Sequence, residues 1–222
     1  MARIAVILHG CGARDGSEVH EATLTLLALD LLGASVQCFA PTEEQAHVVD
    51  HLSGKECDET RWMHIEAARI ARGKIKNISD LRESDFDGIV IPGGSGTAVN
   101  LCSFAHDGAK MKVNAKLEQI LREFHKSGKP IGAICIAPVI LAKVFGSVHP
   151  ILTIGNDAKT AAAMQEMGAK HQSCDVESCV VDRQNLLVTT PAYMLAQSIR
   201  ELWPGIQALC QQIVELAKSK KI

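Results

Sequence analysis

Short apolar runs alternate along this chain with longer stretches in which apolar side chains return every three or four positions. The first run, residues 3–8, predicts a buried strand. A glycine-rich loop over residues 9–17 follows, and the pattern then predicts a helix over 18–32 with Ser17 as its N-cap. Val19, Ala22, Leu24, Leu26, Leu27, Leu29, Leu31 and Leu32 surround that helix on nearly all sides. It is therefore expected to pack between the sheet and another surface, such as a second subunit. Residues 35–39 predict a second strand, and the polar stretch 43–60 a short helix within an excursion. A helix over 59–72, closed by Gly73, precedes strand 89–91, which runs into Pro92-Gly93-Gly94-Ser95-Gly96.

In the second half, residues 97–111 predict a loop and 113–124 an amphipathic helix. The uncharged run 131–136 follows a Gly-Lys-Pro turn and delivers Cys135 to the start of a helix, with Pro138 suited to its first turn. Strand 151–154, helix 158–167 and a hairpin pairing 179–181 with 186–188 come next. The last helix is expected to begin near Thr189-Thr190-Pro191-Ala192 and to kink at Pro204. Strand and helix alternating with short connections predict an α/β fold: one domain over 1–222 with a doubly wound, mostly parallel sheet and helices on both faces.

Composition sharpens this picture. With 47% apolar but only 4% aromatic residues, the core must be aliphatic, as in parallel sheets. A formal net charge of -2 gives no basic field for nucleic acid or an anionic membrane, so neither partner is expected. Lys218-Ser219-Lys220-Lys221 reads as a solvated helix end. The apolar N-terminus is stopped by His9-Gly10-Cys11-Gly12 too early for a signal peptide, and a cytoplasmic location is expected. The eight cysteines show no C-x-x-C spacing, so reduced thiols are expected rather than a zinc site or a disulfide framework. The first loop departs from the G-x-G-x-x-G spacing, so no dinucleotide is expected there, and no cofactor or metal is implied.

The candidate chemistry lies at the carboxyl edge of the sheet, where open α/β folds bind ligands. A thiol on a strand-to-helix turn is a candidate nucleophile, and a helix N-terminus beside it would leave Cys135 partly ionised near neutral pH. Backbone N–H groups of Gly94, Ser95 and Ile136 could stabilise an oxyanion. Glu18 or Glu21, in the first helical turn, could shuttle a proton if its pKa is raised, although first-turn acids also serve the helix dipole. His9 and His20 are near in sequence, and a hydrogen-bonding or surface role is the simpler reading of both.

Ile-Val-Ile-Pro-Gly-Gly at 89–94 and Gly-x-x-Cys at 132–135 resemble the PfpI and class I glutamine amidotransferase-like superfamily. The strings at 9–22, 38–41, 66–70, 135–138 and 188–197 are similar to those of its ElbB subfamily. The resemblance implies a flavodoxin-like fold, often dimeric, with Cys135 as nucleophile and a partner glutamate. That glutamate falls on Glu21 counting back from Gly33, or on Glu18 if the Gly-Ser-Glu string is the anchor. It also implies a cofactor-free glyoxalase acting on a small dicarbonyl, with an older link to isoprenoid biosynthesis. A redox-sensing or partner-binding protein built on the same thiol is the alternative. Ile136 stands where protease-like and several glyoxalase-like relatives have histidine, and His171 is followed by Gln172-Ser173 rather than by the x-Glu of an amidotransferase triad. Both departures argue against amide hydrolysis.

Overall fold

The structure, a computed structural model, describes residues 1–219. Lys220 and Lys221 of the basic tail lie outside the described residues. The chain opens with β1 (Arg3–Ile7), α1 (Val19–Leu31) and β2 (Ser35–Ala40), followed by a small hairpin of β3 (Val48–Val49) and β4 (Glu56–Cys57). Next come α2 (Met63–Ile70), β5 (Ile75–Asn77), β6 (Gly88–Ile91), α3 (Phe104–Asp107) and α4 (Ala115–Lys126). The second half holds β7 (Ile131–Ile134), α5 (Pro138–Phe145), β8 (Ile151–Leu152), α6 (Ala158–Glu166) and β9 (Lys170–His171). It ends with β10 (Val180–Asp182), β11 (Leu187–Thr190) and α7 (Ile199–Ser219).

Seven strands form the central sheet in the order β10-β11-β7-β6-β1-β2-β5. All pairs are parallel except β10 with β11 at one edge. This is the mostly parallel, helix-covered α/β sheet expected from the alternation of elements. Successive strand residues face opposite ways, which divides the core in two. Ala5, Ile7, Ile89 and Ile91 pack against Leu117, Ile120, Leu121 and Phe124 of α4 and the buried side of α5. Ile4, Val6 and Val90 pack instead with Leu29 of α1 and Leu202, Ile206, Leu209 and Ile213 of α7. Each of these side chains larger than alanine contributes about 1.5–3 kcal/mol on burial. Both sets belong to elements that end at the same edge, so packing fixes the loops gathered there.

Several local expectations are corrected. Ser17 does not cap α1: its Oγ accepts the His9 N–H at 2.9 Å, and Glu18 is the N-cap, accepting the Glu21 N–H at 2.7 Å. The stretch 43–60 holds the β3–β4 hairpin and no helix. Residues 75–77, unassigned from sequence, are the edge strand β5. Residues 151–152 do not join the central sheet but pair with β9 in a separate two-stranded sheet. Within 97–111, residues Thr97–Leu101 coil into a π-helical turn before α3. The segment expected to open the last helix is β11 and a 3-10 turn, so α7, 21 residues long with Pro204 in its interior, starts only at Ile199.

Candidate active site

The register of β6 with β7, Val90↔Gly132 and Ile91↔Ala133, brings the turn after β6 level with the turn after β7. Cys135 sits at the second turn with φ +63°, a conformation that costs a non-glycine residue strain and that places its side chain above the strand end. Its N–H donates to Thr190 C=O at 3.0 Å, and the Ala137 N–H closes the turn onto Ile134 C=O at 3.0 Å. Proline at the start of α5 needs no N–H partner, so the chain enters the helix directly.

Glu21 meets Cys135 from the other side. Its carboxyl is hydrogen-bonded to the thiol, and its Oε2 accepts the Gly93 N–H at 3.0 Å while its Oε1 accepts the Tyr193 N–H at 3.2 Å. Three segments, α1, the turn after β6 and the turn after β11, thus hold one side chain. Gly93 must be glycine: a Cβ there would lie 2.4 Å from Cys135 Cβ and 2.7 Å from Glu21 Oε2. Gly94 has φ +108°, and a Cβ on it would meet Gly16 O at 2.4 Å. The Gly93 carbonyl accepts the Glu18 N–H at 2.9 Å, which ties the glycine turn to the start of α1.

Burial and the neighbouring charge of Glu18 push the Glu21 carboxyl up to about 8, against the pull of its hydrogen bonds. Burial and then the charge of Glu21 push the Cys135 thiol well above its ordinary value. The Gly94 and Ile136 N–H groups pull the other way by hydrogen bonding to the sulfur. The sequence expectation of a partly ionised thiol at neutral pH is therefore corrected. A helix start is legible in sequence, but the depth of Cys135, 7% exposed, and the acid behind it are not. The pair titrates as a unit, and its first proton leaves as pH rises through about 8.

Of the two glutamates, Glu21 is fully buried against Cys135 and Glu18 caps the helix. Of the three N–H groups named from sequence, those of Gly94 and Ile136 reach the sulfur, whereas that of Ser95 donates to Ala13 C=O at 2.8 Å. Ser95 therefore meets the pocket by its exposed side chain. The pocket in front of Cys135 has a volume of about 550 Å³. Its walls include Ala98, Val99, Phe104 and Met194, and its basic groups among the described residues are Arg14 and His47, the latter with Nδ1 3.7 Å from Glu56 Oε1; sequence reasoning singled out neither. Their signal was faint: Arg14 interrupts a glycine-rich loop, and His47 lies in a stretch without periodicity.

The histidines near in sequence are occupied elsewhere. His9 is fully buried with Nε2 3.0 Å from Thr97 Oγ1, and burial drives its pKa down to about 4. His20 Nδ1 lies 2.7 Å from Tyr193 Oη. Among the described residues, no group of three or more His, Cys, Asp or Glu side chains is disposed to hold a metal ion.

A strained cysteine turn on a parallel α/β sheet, faced by a buried glutamate from the first helix, defines a class, and residues 11–196 match it: the chain belongs to the DJ-1/PfpI family. It is 44% identical over 225 residues to the human glutamine amidotransferase-like class 1 domain-containing protein 3, mitochondrial, covering 97% of this chain and 83% of that one. A zebrafish ES1 protein, mitochondrial, is 33% identical over 86% of this chain and 76% of its own length. The crystal structure of an isoprenoid biosynthesis protein with amidotransferase-like domain from Ehrlichia chaffeensis superposes with a TM-score of 0.91. It is 36% identical, covering 97% of this chain and 99% of that one.

Proposed function

We propose that this protein is a cofactor-free glyoxalase of the ElbB-like branch, converting a small dicarbonyl to a hydroxy acid with Cys135 as nucleophile and Glu21 as proton shuttle. The observation that carries the reading is the hydrogen bond that a thiol on a strained turn facing a pocket donates to a buried carboxyl, itself raised to about 8. When the pair holds one proton, that proton rests on the sulfur, and the Glu21 carboxylate takes it as the sulfur attacks. The sulfur adds to an aldehyde carbon, and Glu21 protonates the resulting alkoxide. The Glu21 carboxylate then removes the hydrogen from that carbon and returns it to the neighbouring one, while the hydroxyl proton passes from the first oxygen to the second, giving a hydroxyacyl thioester. Water cleaves the thioester, releasing the hydroxy acid and the thiol. The dicarbonyl is oxidised at one carbon and reduced at the other, so no redox partner enters the balance. The Gly94 and Ile136 N–H groups, which already face the sulfur, lie beside the carbon it attacks.

Incubation with glyoxal should yield glycolate, and Cys135→Ala should abolish it; equal turnover by the variant would overturn the proposal. An aqueous, reducing compartment suits the eight free thiols, and both cytoplasm and the mitochondrial matrix meet that condition. Among the described residues no helix is long and apolar enough to cross a membrane. A homodimer belongs to the same proposal, supported by Leu27 and Leu31 of α1, which are 45% and 67% exposed. Light scattering should report twice the chain mass; a monomer would remove that part.

A further inference from the structure

Glyoxal fills only a small part of this pocket. Its four heavy atoms take the space of about two waters, ~60 Å³, against a pocket of about 550 Å³. What fills the remainder must match the lining, which is apolar along Ala98, Val99, Phe104 and Met194 and basic at Arg14, while His47 already has Glu56 Oε1 at 3.7 Å; no carboxylate is among the described lining residues. Among the described residues no carboxylate lies within ion-pairing distance of the Arg14 guanidinium. A guanidinium without an internal partner at the edge of an apolar pocket is suited to a ligand's carboxylate.

Arg14 is also held in place. Its N–H donates to His51 Nε2 at 3.2 Å, and His51 Nδ1 bonds Val49 C=O at 2.9 Å. Buried Asp15 accepts the Val49 N–H at 2.8 Å. The first loop and the β3–β4 hairpin are thus stitched together, and the Arg14 guanidinium lies over Gly54 in the hairpin turn. The hairpin, which adds no strand to the central sheet, contributes His47 from one end and support for Arg14 from its turn.

We propose that the site takes 2-oxoaldehydes bearing a terminal carboxylate, with Arg14 as the residue that selects them. The inference rests on the glyoxalase reading for its chemistry and on the pocket for its selectivity. With 4,5-dioxopentanoate, thiolate addition at the aldehyde, proton transfer to the adjacent carbon and hydrolysis would give 2-hydroxyglutarate, one water being consumed. The methyl ester of the same compound is the neutral comparison.

The ratio of kcat/KM for acid over ester should be roughly tenfold in the native protein, about 1.4 kcal/mol for a partly solvated charge-assisted contact. It should fall to near unity in Arg14→Gln and recover in part in Arg14→Lys. A ratio near unity in the native protein, or one unchanged by Arg14→Gln, would overturn the assignment while glyoxal turnover still upheld the glyoxalase reading. Titration calorimetry of acid and ester on Cys135→Ala reads the same selectivity without chemistry. Were no dicarbonyl turned over, tenfold tighter binding of the acid, lost with Arg14, would support the carboxylate subsite alone, and equal binding would refute it.

Discussion

Replacing Glu21 by glutamine tests the buried acid without reference to any substrate. The carboxyl is raised from its ordinary 4.5 to about 8, so between those values the unfolded chain has lost a proton that the folded one keeps. The sign follows directly: stability from this group is fully present below pH 4.5 and is lost as pH rises toward 8. The window spans about 3.5 pH units, and at 1.36 kcal/mol per unit the loss is roughly 5 kcal/mol. Glutamine carries no proton to lose, while its changed hydrogen bonds to the Gly93 and Tyr193 N–H groups add a cost that does not vary with pH. Urea denaturation of both proteins at several pH values from 5 to 8 gives the difference. The native protein should lose stability relative to Glu21→Gln at about 1.4 kcal/mol per pH unit. Parallel stability curves would refute the raised carboxyl and, with it, the acid assigned to the mechanism.

Other outcomes follow from the same contacts. Because the pair loses its first proton near pH 8, glyoxal kcat/KM should rise with pH through about 8; a flat profile over pH 6–9 would contradict the coupling. Glu18→Gln removes a charge that raises Glu21, so the midpoint of that profile should move to lower pH, and an unmoved midpoint would show that Glu18 exerts no field there. Gly93→Ala wedges a methyl between Cys135 and Glu21 and should cost about 1–3 kcal/mol of stability while reducing glycolate formation more than tenfold; native turnover would show that the close approach is not needed. His9, held neutral with its pKa near 4, should lose stability as pH falls from 6.5 toward 4, by about 3 kcal/mol relative to His9→Gln in denaturant titrations.

The parts of this molecule that were legible in sequence are those with long periodic signals. The helix faces of α4 and α7 and the apolar runs of β1, β6 and β7 carry enough repeats to declare themselves, and the turn at Cys135 is written in the run that ends at Pro138. Two-residue strands such as β3, β4, β8 and β9 show no period, so their pairing depends on what they pack against. Glu18 and Glu21 could not be separated from sequence because both sit in the first helical turn. Their roles diverge when the Gly93 turn presses on one and leaves the other at the cap. Ser95 was a reasonable donor until the first loop, folding over it, placed Ala13 C=O on its N–H. Charge state was the least legible of all, since it depends on burial at Cys135 and not on the residues flanking it.

The central claim is that one sulfur and one carboxyl divide the chemistry between them. Acid-quenching Glu21→Gln after brief mixing with glyoxal, followed by peptide mass spectrometry, reads both parts at once. Addition of one glyoxal mass to the peptide containing Cys135, with no glycolate released, is the predicted result. Glycolate formed at the native rate, or label spread evenly over the eight cysteines, would contradict it.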